Sequence, residues 1–422
     1  MIKFLLKGLL RDRHRSLFPV IIIAGGVALS VLLYCYIQGF GSDLVRTNAI
    51  YDTGHVKIMT QAYKKIADQI PNDLAIANAD KMVKELNTEF PDMEWSQRIK
   101  FGGLLDIPDE NGETKEQGAV QGIGLELLNN EQNIERFNLR KALKEGQLPN
   151  QKGEILITSE FAKNLKVKPG HTATLISTAA DGSMAIYNFT ISGIIEFGIS
   201  FLDNNTILVD IRDIRAALNM YKSSGEIVGY FPGNFNQEKA NQVAAQFNQK
   251  YSKPDDRFSP NMVTLREQNG LDQMLALINA ESFIIIGIFI FVMSLVLWNT
   301  GLMSGIRRYG EIGVRLAIGE SKSDVYISLL WEGLLIGIAG TIVGNIFGLG
   351  FSYYLQEVGL DVSDMMQDSS ALMSTVLRAR INTPAYFIGF IPGLLATFLG
   401  NAISGIGIIN RETAQLFKEL ER

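Results

Sequence analysis

Four stretches without a charged side chain fix what this chain can become. No Asp, Glu, Lys or Arg occurs between Arg15 and Asp43, between Glu281 and Arg307, between Glu332 and Glu357, or between Arg380 and Arg411. Each gap reaches the roughly 20 residues that a helix needs to cross a hydrocarbon core. One span enters near the start, a long polar block follows, and three spans come near the end.

The mean hydropathy of +0.12 fits such a hybrid, too apolar for an ordinary soluble protein and too polar for a many-helix transporter. The net charge of -5 hides a sorting of signs. Lys3, Lys7, Arg11, Arg13 and Arg15 precede the first span, and Arg307, Arg308, Arg315 and Lys322 lie between the second and third, so both flanks read as cytoplasmic. Arg411, Lys418 and Arg422 return the C-terminus to the same side, whereas Arg378 and Arg380 sit on the outer side in a loop shared with Glu357, Asp361, Asp364 and Asp368. The apolar run from Leu17 to Phe40 is longer than a signal-peptide core and no small-x-small site closes it, which predicts an uncleaved anchor. Cys35 is the sole cysteine, so no disulfide forms within the chain and a packing role is expected. Ahead of the span, Phe4, Leu5, Leu9 and Leu10 alternate with basic residues as in an interfacial amphipathic helix.

The outer block reads as mixed α and β. Strands are expected at His55 to Met59, Glu154 to Thr158, Thr174 to Ser177, Met184 to Ile195 and Thr206 to Val209. Helical spacing links Ala79, Val83, Leu86 and Phe90, and again Ala240, Val243, Ala244 and Phe247. Pro108 to Gly118 suggests an exposed turn or hairpin tip, and the strand-rich stretch 121–208 suggests an inserted subdomain. Catalytic and metal-binding patterns are missing: His14, His55 and His171 are isolated, and there is no HExxH, no cysteine pair, no G-x-S-x-G and no GxxxxGK[ST]. The expectation is a non-catalytic subunit with no cofactor and no nucleic-acid partner, and any ATP would be bound elsewhere.

The informative motif lies between the second and third spans. Ile306-Arg307-Arg308-Tyr309-Gly310-Glu311-Ile312-Gly313-Val314-Arg315-Leu316-Ala317-Ile318-Gly319 leads through Asp324 to Trp331-Glu332-Gly333-Leu334-Leu335. Ile312, Val314, Leu316 and Ile318 among Arg308, Glu311 and Arg315 make an apolar ridge with charges, while glycines permit close approach and a turn. A solvated positive-inside loop accounts for Arg307 and Arg308 but not for Ile312 or Val314. The order R-R-x-x-E-I-G-V, A-x-G, E-G-L-L closely resembles the signature of the FtsX/LolC/LolE/MacB permease family. Gly54-His55-Val56-Lys57-Ile58 is similar to the start of the outer domain in members grouped with lipoprotein-releasing systems. The tail departs from the family, since Asn410-Arg411-Glu412-Thr413-Ala414 lacks its proline.

The resemblance implies an inner-membrane permease of an ABC system. Two permease chains, identical or different, would pair in the membrane, and separate ATPase subunits holding ATP and Mg would dock beneath. It places ATPase coupling on Arg307, Arg308, Glu311, Ile312, Val314 and Arg315. The segments so drawn are a cytoplasmic amphipathic helix (1–16), spans (17–41, 281–305, 325–355, 383–409), an outer α/β domain (42–280), a coupling segment (306–324), an outer loop (356–382) and a cytoplasmic tail (410–422). Leu44, Val45 and Ala49 after the first span, and Leu271, Met274, Leu275 and Ile278 before the second, can prolong those helices outward as levers.

Two features of the third span carry their own physics. Glu332 lies shallow enough to pair with Arg307 or Arg308 at the inner surface. Gly333, Gly337, Gly340, Gly344 and Gly348 share one helix face, where another backbone can approach closely within or between subunits. The fourth span repeats the theme with Gly389, Gly393, Gly400 and Ser404, and Pro392 predicts a kink; Ala24, Gly25, Gly26 and Ala28 in the first are a weaker version. The expected cargo is a lipoprotein or another amphipathic molecule. The alternatives are a regulator that activates a periplasmic cell-wall hydrolase, whose outer domains are usually smaller, and a sensor or scaffold that never couples to ATP.

Overall fold

The computed structural model describes residues 13–128, 130–233, 235–307, 309–362 and 374–409. The chain divides into two compact units, one of Met1–Ser42, Leu275–Leu360 and Leu377–Arg422, the other of Asp43–Met274 and Asp361–Val376. The expected N-terminal amphipathic helix lies almost wholly outside the described residues, as does the tail from 410.

Helix α1 spans Arg13–Asn48 and ends in a π-helical turn at Ala49–Thr53. In the outer unit, β1 (Val56–Thr60) precedes α2 (Ala79–Glu89) and the long hairpin β2 (Glu94–Pro108) and β3 (Thr114–Leu125). Then come β4 (Leu143–Gly146), β5 (Glu154–Thr158), β6 (Thr172–Thr178), β7 (Met184–Ile195), β8 (Thr206–Asp210), β9 (Glu226–Tyr230), α3 (Gln237–Tyr251) and β10 (Pro260–Thr264). The remaining long helices are α4 (Leu271–Arg307), α5 (Tyr309–Ala317), α6 (Lys322–Glu357) and α7 (Phe390–Ile409).

Strand β2 belongs to two sheets. Glu94–Arg98 pair with β9 in an antiparallel sheet ordered β10-β1-β9-β2, while Ile99–Pro108 pair with β3. Beyond Arg98 the pairings β2-β3-β8-β5-β7-β6 return to β2, closing a ring of six strands. Alternate side chains fill it: Ile99, Phe101, Leu105 and Ile107 from β2, Ile155 and Ile157 from β5, Ala173 and Leu175 from β6, Phe189 and Ile191 from β7, Ile207 and Val209 from β8. The strand-rich insertion therefore begins at Ile99 rather than near 121. The β2–β3 hairpin reads poorly in sequence because Gly102, Gly103, Gly118, Gly122 and Gly124 interrupt its alternation. Gly122 is required there, since the Phe101 ring occupies the space its Cβ would take. The expected loop at Pro108 to Gly118 shrinks to a turn at Asp109, whose Oδ1 accepts from the amides of Asn111 (2.8 Å) and Glu113 (2.9 Å).

The four-stranded sheet packs Val56, Ile58, Ile227 and Met262 against Ala79 and Leu86 of α2 and Ala240, Ala244 and Phe247 of α3. Asn236 caps α3, accepting from the Lys239 amide at 3.0 Å.

In the helical unit, Ile23, Val27, Val31 and Cys35 recur every four residues along α1 and are completely buried. The glycine face of α6 meets two neighbours, one along each half of its length. Ideal Cβ atoms on Gly340, Gly344 and Gly348 would lie 2.7 Å from Ile23 Cβ, 2.7 Å from Val27 Cβ and 3.0 Å from Val31 Cβ, so α1 and α6 run parallel in close contact. Gly333 and Gly337 instead face Asn401 and Thr397 of α7, and Gly389 and Gly393 face Asn345 and Thr341 of α6. The four pairs 333/401, 337/397, 341/393 and 345/389 step by four in opposite directions, an antiparallel ladder with a polar side chain opposite each glycine. In α1, Gly26 meets Met293 of α4, whereas Gly25 faces open space. At Pro392 the missing N–H leaves no donor for the carbonyl four residues back, and the helix is interrupted at Gly389, between the short helix Ala385–Ile388 and α7.

Branched side chains at Gly337 or Gly344 hold these backbones apart. Gly337→Leu and Gly344→Leu should each destabilise the detergent-solubilised chain by about 1–3 kcal/mol or more. Gly350→Leu, whose Cβ would have no heavy atom within 4 Å, should be neutral. Thermal melts of the three variants check this, and three equal melting temperatures would contradict it.

Candidate functional site

The motif between the second and third long helices folds as a short helix and a tight turn. Helix α5 carries Glu311 to Arg315 and continues one turn further, with the Ile318 amide donating to the Val314 carbonyl at 3.0 Å. Gly319, at φ +98, reverses the chain, and Ser321 caps α6, accepting from the Asp324 amide at 3.1 Å and donating to its Oδ2 at 2.6 Å. Arg315 forks onto Glu320, with Nε and Nη2 each donating at 2.6 Å, and this bond holds the Glu320 carboxyl below its usual range. Arg315 thus braces the turn internally, a role that sequence reasoning assigned to a partner contact.

Val314 is 57% exposed and Ile318 79% exposed, one turn apart. They form an exposed two-residue apolar ridge one helical turn long, flanked by the half-buried Leu316 and by Arg315, Gly319 and Glu320. The side chains of Arg307, Glu311 and Ile312, and all of Arg308, lie outside the described residues. Glu332 is half-buried on α6; its expected partners Arg307 and Arg308 fall in that undescribed group. Gly333, Gly337, Gly340, Gly344 and Gly348 are all buried, against α7 and α1 of the same chain.

A second constellation, at the end of α1 within the outer unit, had little sequence signal. Asp52 in the π-helical turn accepts from Lys57 of β1 at 3.1 Å and from Lys100 of β2 on Oδ1, and from Asn269 on Oδ2. Glu226 of β9 lies 3.2 Å from Lys57 and 3.4 Å from Lys100. Burial works against charge on Lys100, but Glu226 and Asp52 outweigh it and hold its pKa above the ordinary lysine value. Arg98, only 1% exposed at the point where β2 changes sheets, donates to the carbonyls of Ile50 (2.6 Å) and Asp52 (3.3 Å) and to the Tyr230 hydroxyl. Its guanidinium carbon sits 5.1 Å from the centroid of the Phe137 ring. A buried cation thereby satisfies carbonyls that a helix end leaves without partners.

The Gly54-His55-Val56-Lys57 stretch serves this root. Gly54 takes φ +63, and its amide closes the π turn on the Ala49 carbonyl at 3.0 Å. His55 Nδ1 accepts from the Phe231 amide at 2.9 Å, among the rings of Tyr230, Phe231 and Phe235. Burial, helped by Arg136, pushes its pKa down to about 4. The sequence signal for the cluster was Lys57 itself, a lysine among Val56, Ile58 and Met59 of β1.

Four helices long and apolar enough to cross a membrane, with an α/β domain between the first and second, define a membrane permease architecture. Residues 16–250 match the MacB-like periplasmic core domain and 283–413 the FtsX-like permease C-terminal region. The chain belongs to this family of MacB/LolC/FtsX-type permeases. It is 24% identical over 351 residues to the lipoprotein-releasing system transmembrane protein LolC of Xylella fastidiosa, across 81% of this chain and 78% of that one. It is 33% identical over 111 residues to the macrolide export ATP-binding/permease protein MacB of Bdellovibrio bacteriovorus, a match spanning 26% of this chain but only 16% of that protein. The periplasmic region of MacB from Actinobacillus actinomycetemcomitans is similar at 12% identity and a TM-score of 0.36, covering 56% of this chain and 95% of that structure.

Two outcomes follow for the helix root. Arg98→Met strands the carbonyls of Ile50 and Asp52, and should cost about 3–5 kcal/mol of outer-unit stability in scanning fluorimetry. His55 is held neutral in the fold, so its contribution is complete above pH 6.5 and is lost as the pH falls towards 4, by about 3 kcal/mol. His55→Asn, which keeps an acceptor for the Phe231 amide, should flatten the loss of stability between pH 6.5 and 5. An unchanged pH profile in that variant would refute the assignment.

Proposed function

We propose that this chain is the permease subunit of a mechanotransducing ABC transporter, driven by a separate ATPase that docks on the turn from α5 to α6. The carrying observation is the exposed pair Val314 and Ile318, presented beside a turn made stiff by the Arg315–Glu320 fork and the Ser321 cap. A short rigid apolar ridge with charged neighbours fits a groove on a folded partner better than it fits water. This sequence contains no phosphate-cradling GxxxxGK[ST] loop, so ATP and Mg would be held by the partner. The basic flanks of the spans favour a docking turn and both termini on the cytoplasmic side of a bacterial inner membrane.

For cargo, a lipoprotein or another amphipathic molecule handled at the outer leaflet is the favoured reading. The alignment with LolC of Xylella fastidiosa, named for lipoprotein release, extends over 81% of this chain, whereas that with MacB of Bdellovibrio bacteriovorus, named for macrolide export, covers 26%. The glycine faces of α6 are occupied by α1 and α7 of the same chain, so pairing with a second permease would use other surfaces.

Val314→Asp and Ile318→Asp each put a carboxylate into the docked ridge without touching the packed helices. Each should weaken ATPase binding by about 2 kcal/mol or more, seen as loss of the ATPase co-purifying with tagged permease at normal expression. Full retention of the ATPase by both variants would sink the docking role and leave a sensor or scaffold ahead.

A further inference from the structure

The outer unit holds the end of α1 and the approach to α4, far apart in sequence, at a single carboxylate. Asp52 Oδ1 takes the two lysines of the sheet, while Oδ2 takes the side-chain amide of Asn269. Asn269 and Gly270 sit in consecutive left-handed conformations, φ +53 and +65, and turn the chain directly into α4 at Leu271. An L-residue at such a φ is costly unless its side chain finds a local partner, and asparagine is among the few that tolerate it. Upstream, the approach is fixed by the Thr264–Glu267 capping box and the Gln268 side-chain amide on the Thr264 carbonyl, and the reversal itself is closed by the Leu271 amide on the Gln268 carbonyl at 3.0 Å. The Asp52 bond is what ties this reversal to the end of α1.

The cluster around that carboxylate is not a relaxed ion pair. Lys57 and Lys100 face Asp52 and Glu226, with the Arg98 guanidinium beside them on the Asp52 main-chain carbonyl, and among the described residues Glu226 Oε2 and Arg98 Nε have no hydrogen-bond partner. Stability alone would be served as well by apolar residues of similar size. What charge adds is direction: one carboxylate bridges three chain segments with oxygens aimed two ways.

We infer that Asp52 is a latch residue that ties the last turn of α1 to the first residues of α4, so that the two helix ends are held to each other and to the β1–β9–β2 sheet. It is a positioning role for the levers of the proposed transporter, but its geometry lies entirely within the outer unit.

Amide hydrogen exchange on the full chain in lipid nanodiscs, without ATPase, tests the latch. Asp52→Asn should raise exchange roughly tenfold or more both at residues 49–54 and at 270–274, with the six-stranded ring unchanged. Asn269→Ala, at an exposed position, should raise it at 270–274 alone and serves if Asp52→Asn does not fold. The double variant Asp52→Asn with Asn269→Asp restores an amide–carboxylate pair with donor and acceptor exchanged. It should recover protection at 270–274 while 49–54, deprived of the lysine bonds, stays loose. Loosening confined to 49–54 in Asp52→Asn, no change at 270–274 in Asn269→Ala, a spread over the whole β structure, or no rescue in the double variant would each overturn the inference. Because no ATPase is present, none of these outcomes bears on the docking turn.

Discussion

Helix α6 is held by close backbone approach, and the rest of the membrane unit is arranged around that constraint. Lipid gives two apolar helices no hydrophobic reason to associate, so contact must come from dispersion at short range and from polar groups that lipid cannot satisfy. Glycine at 333 and 337 of α6, at 389 just before α7 and at 393 within it removes the side chain where the opposite segment carries Asn401, Thr397, Asn345 or Thr341. A shift of either helix by one residue would set Asn against Leu or Ile, and each buried polar group would lose its seat. The remaining glycines of α6, at 340, 344 and 348, receive Ile23, Val27 and Val31, and the same Val27 reaches Gly389 and Gly393. One small-residue helix thereby fixes two neighbours, one parallel and one antiparallel.

The outer unit solves a comparable problem by opposite means. There the end of α1 must be held by a β-sheet, and exposed carbonyls of its last turn need donors. Arg98 supplies them from the middle of the longest strand, at the residue where that strand leaves one sheet for the other. A cation placed at that switch can be fully enclosed, because the two sheets and the Phe137 ring surround it. Small size secures contacts in lipid, where polar groups are scarce; charge secures them at the helix root, where polar backbone is abundant.

Much of the outer fold was legible because its strands alternate. Met184 to Ile195 and Glu154 to Thr158 read as strands from period and bounding residues, and both helical stripes mark α2 and α3. Only the tip of the β2–β3 hairpin was legible, since in its strands five glycines replace the inward or outward side chains that carry the alternation. Arg98 and Glu226 gave no warning either. A charged residue inside a strand reads as solvent-facing until its partner is brought beside it, and Glu226 meets a lysine 169 positions away while Arg98 meets the Ile50 carbonyl 48 positions away. Between the second and third spans the amphipathic motif was plain, but the turn that makes Arg315 face Glu320 was hidden in the positive φ of Gly319.

By itself the sequence determined the number and order of the spans, the presence of an α/β block between the first and second, and the small-residue face of α6. These depend on composition and on spacing within one element, where neighbours in sequence are neighbours in space. Only the tertiary structure decided which neighbour each glycine receives, that the ring of six strands closes through β6, and that Asp52 joins two helix ends. Those are pairings between residues tens to hundreds of positions apart, and a side chain's partner across such a distance is set by which surfaces the fold brings together, not by its place in the chain.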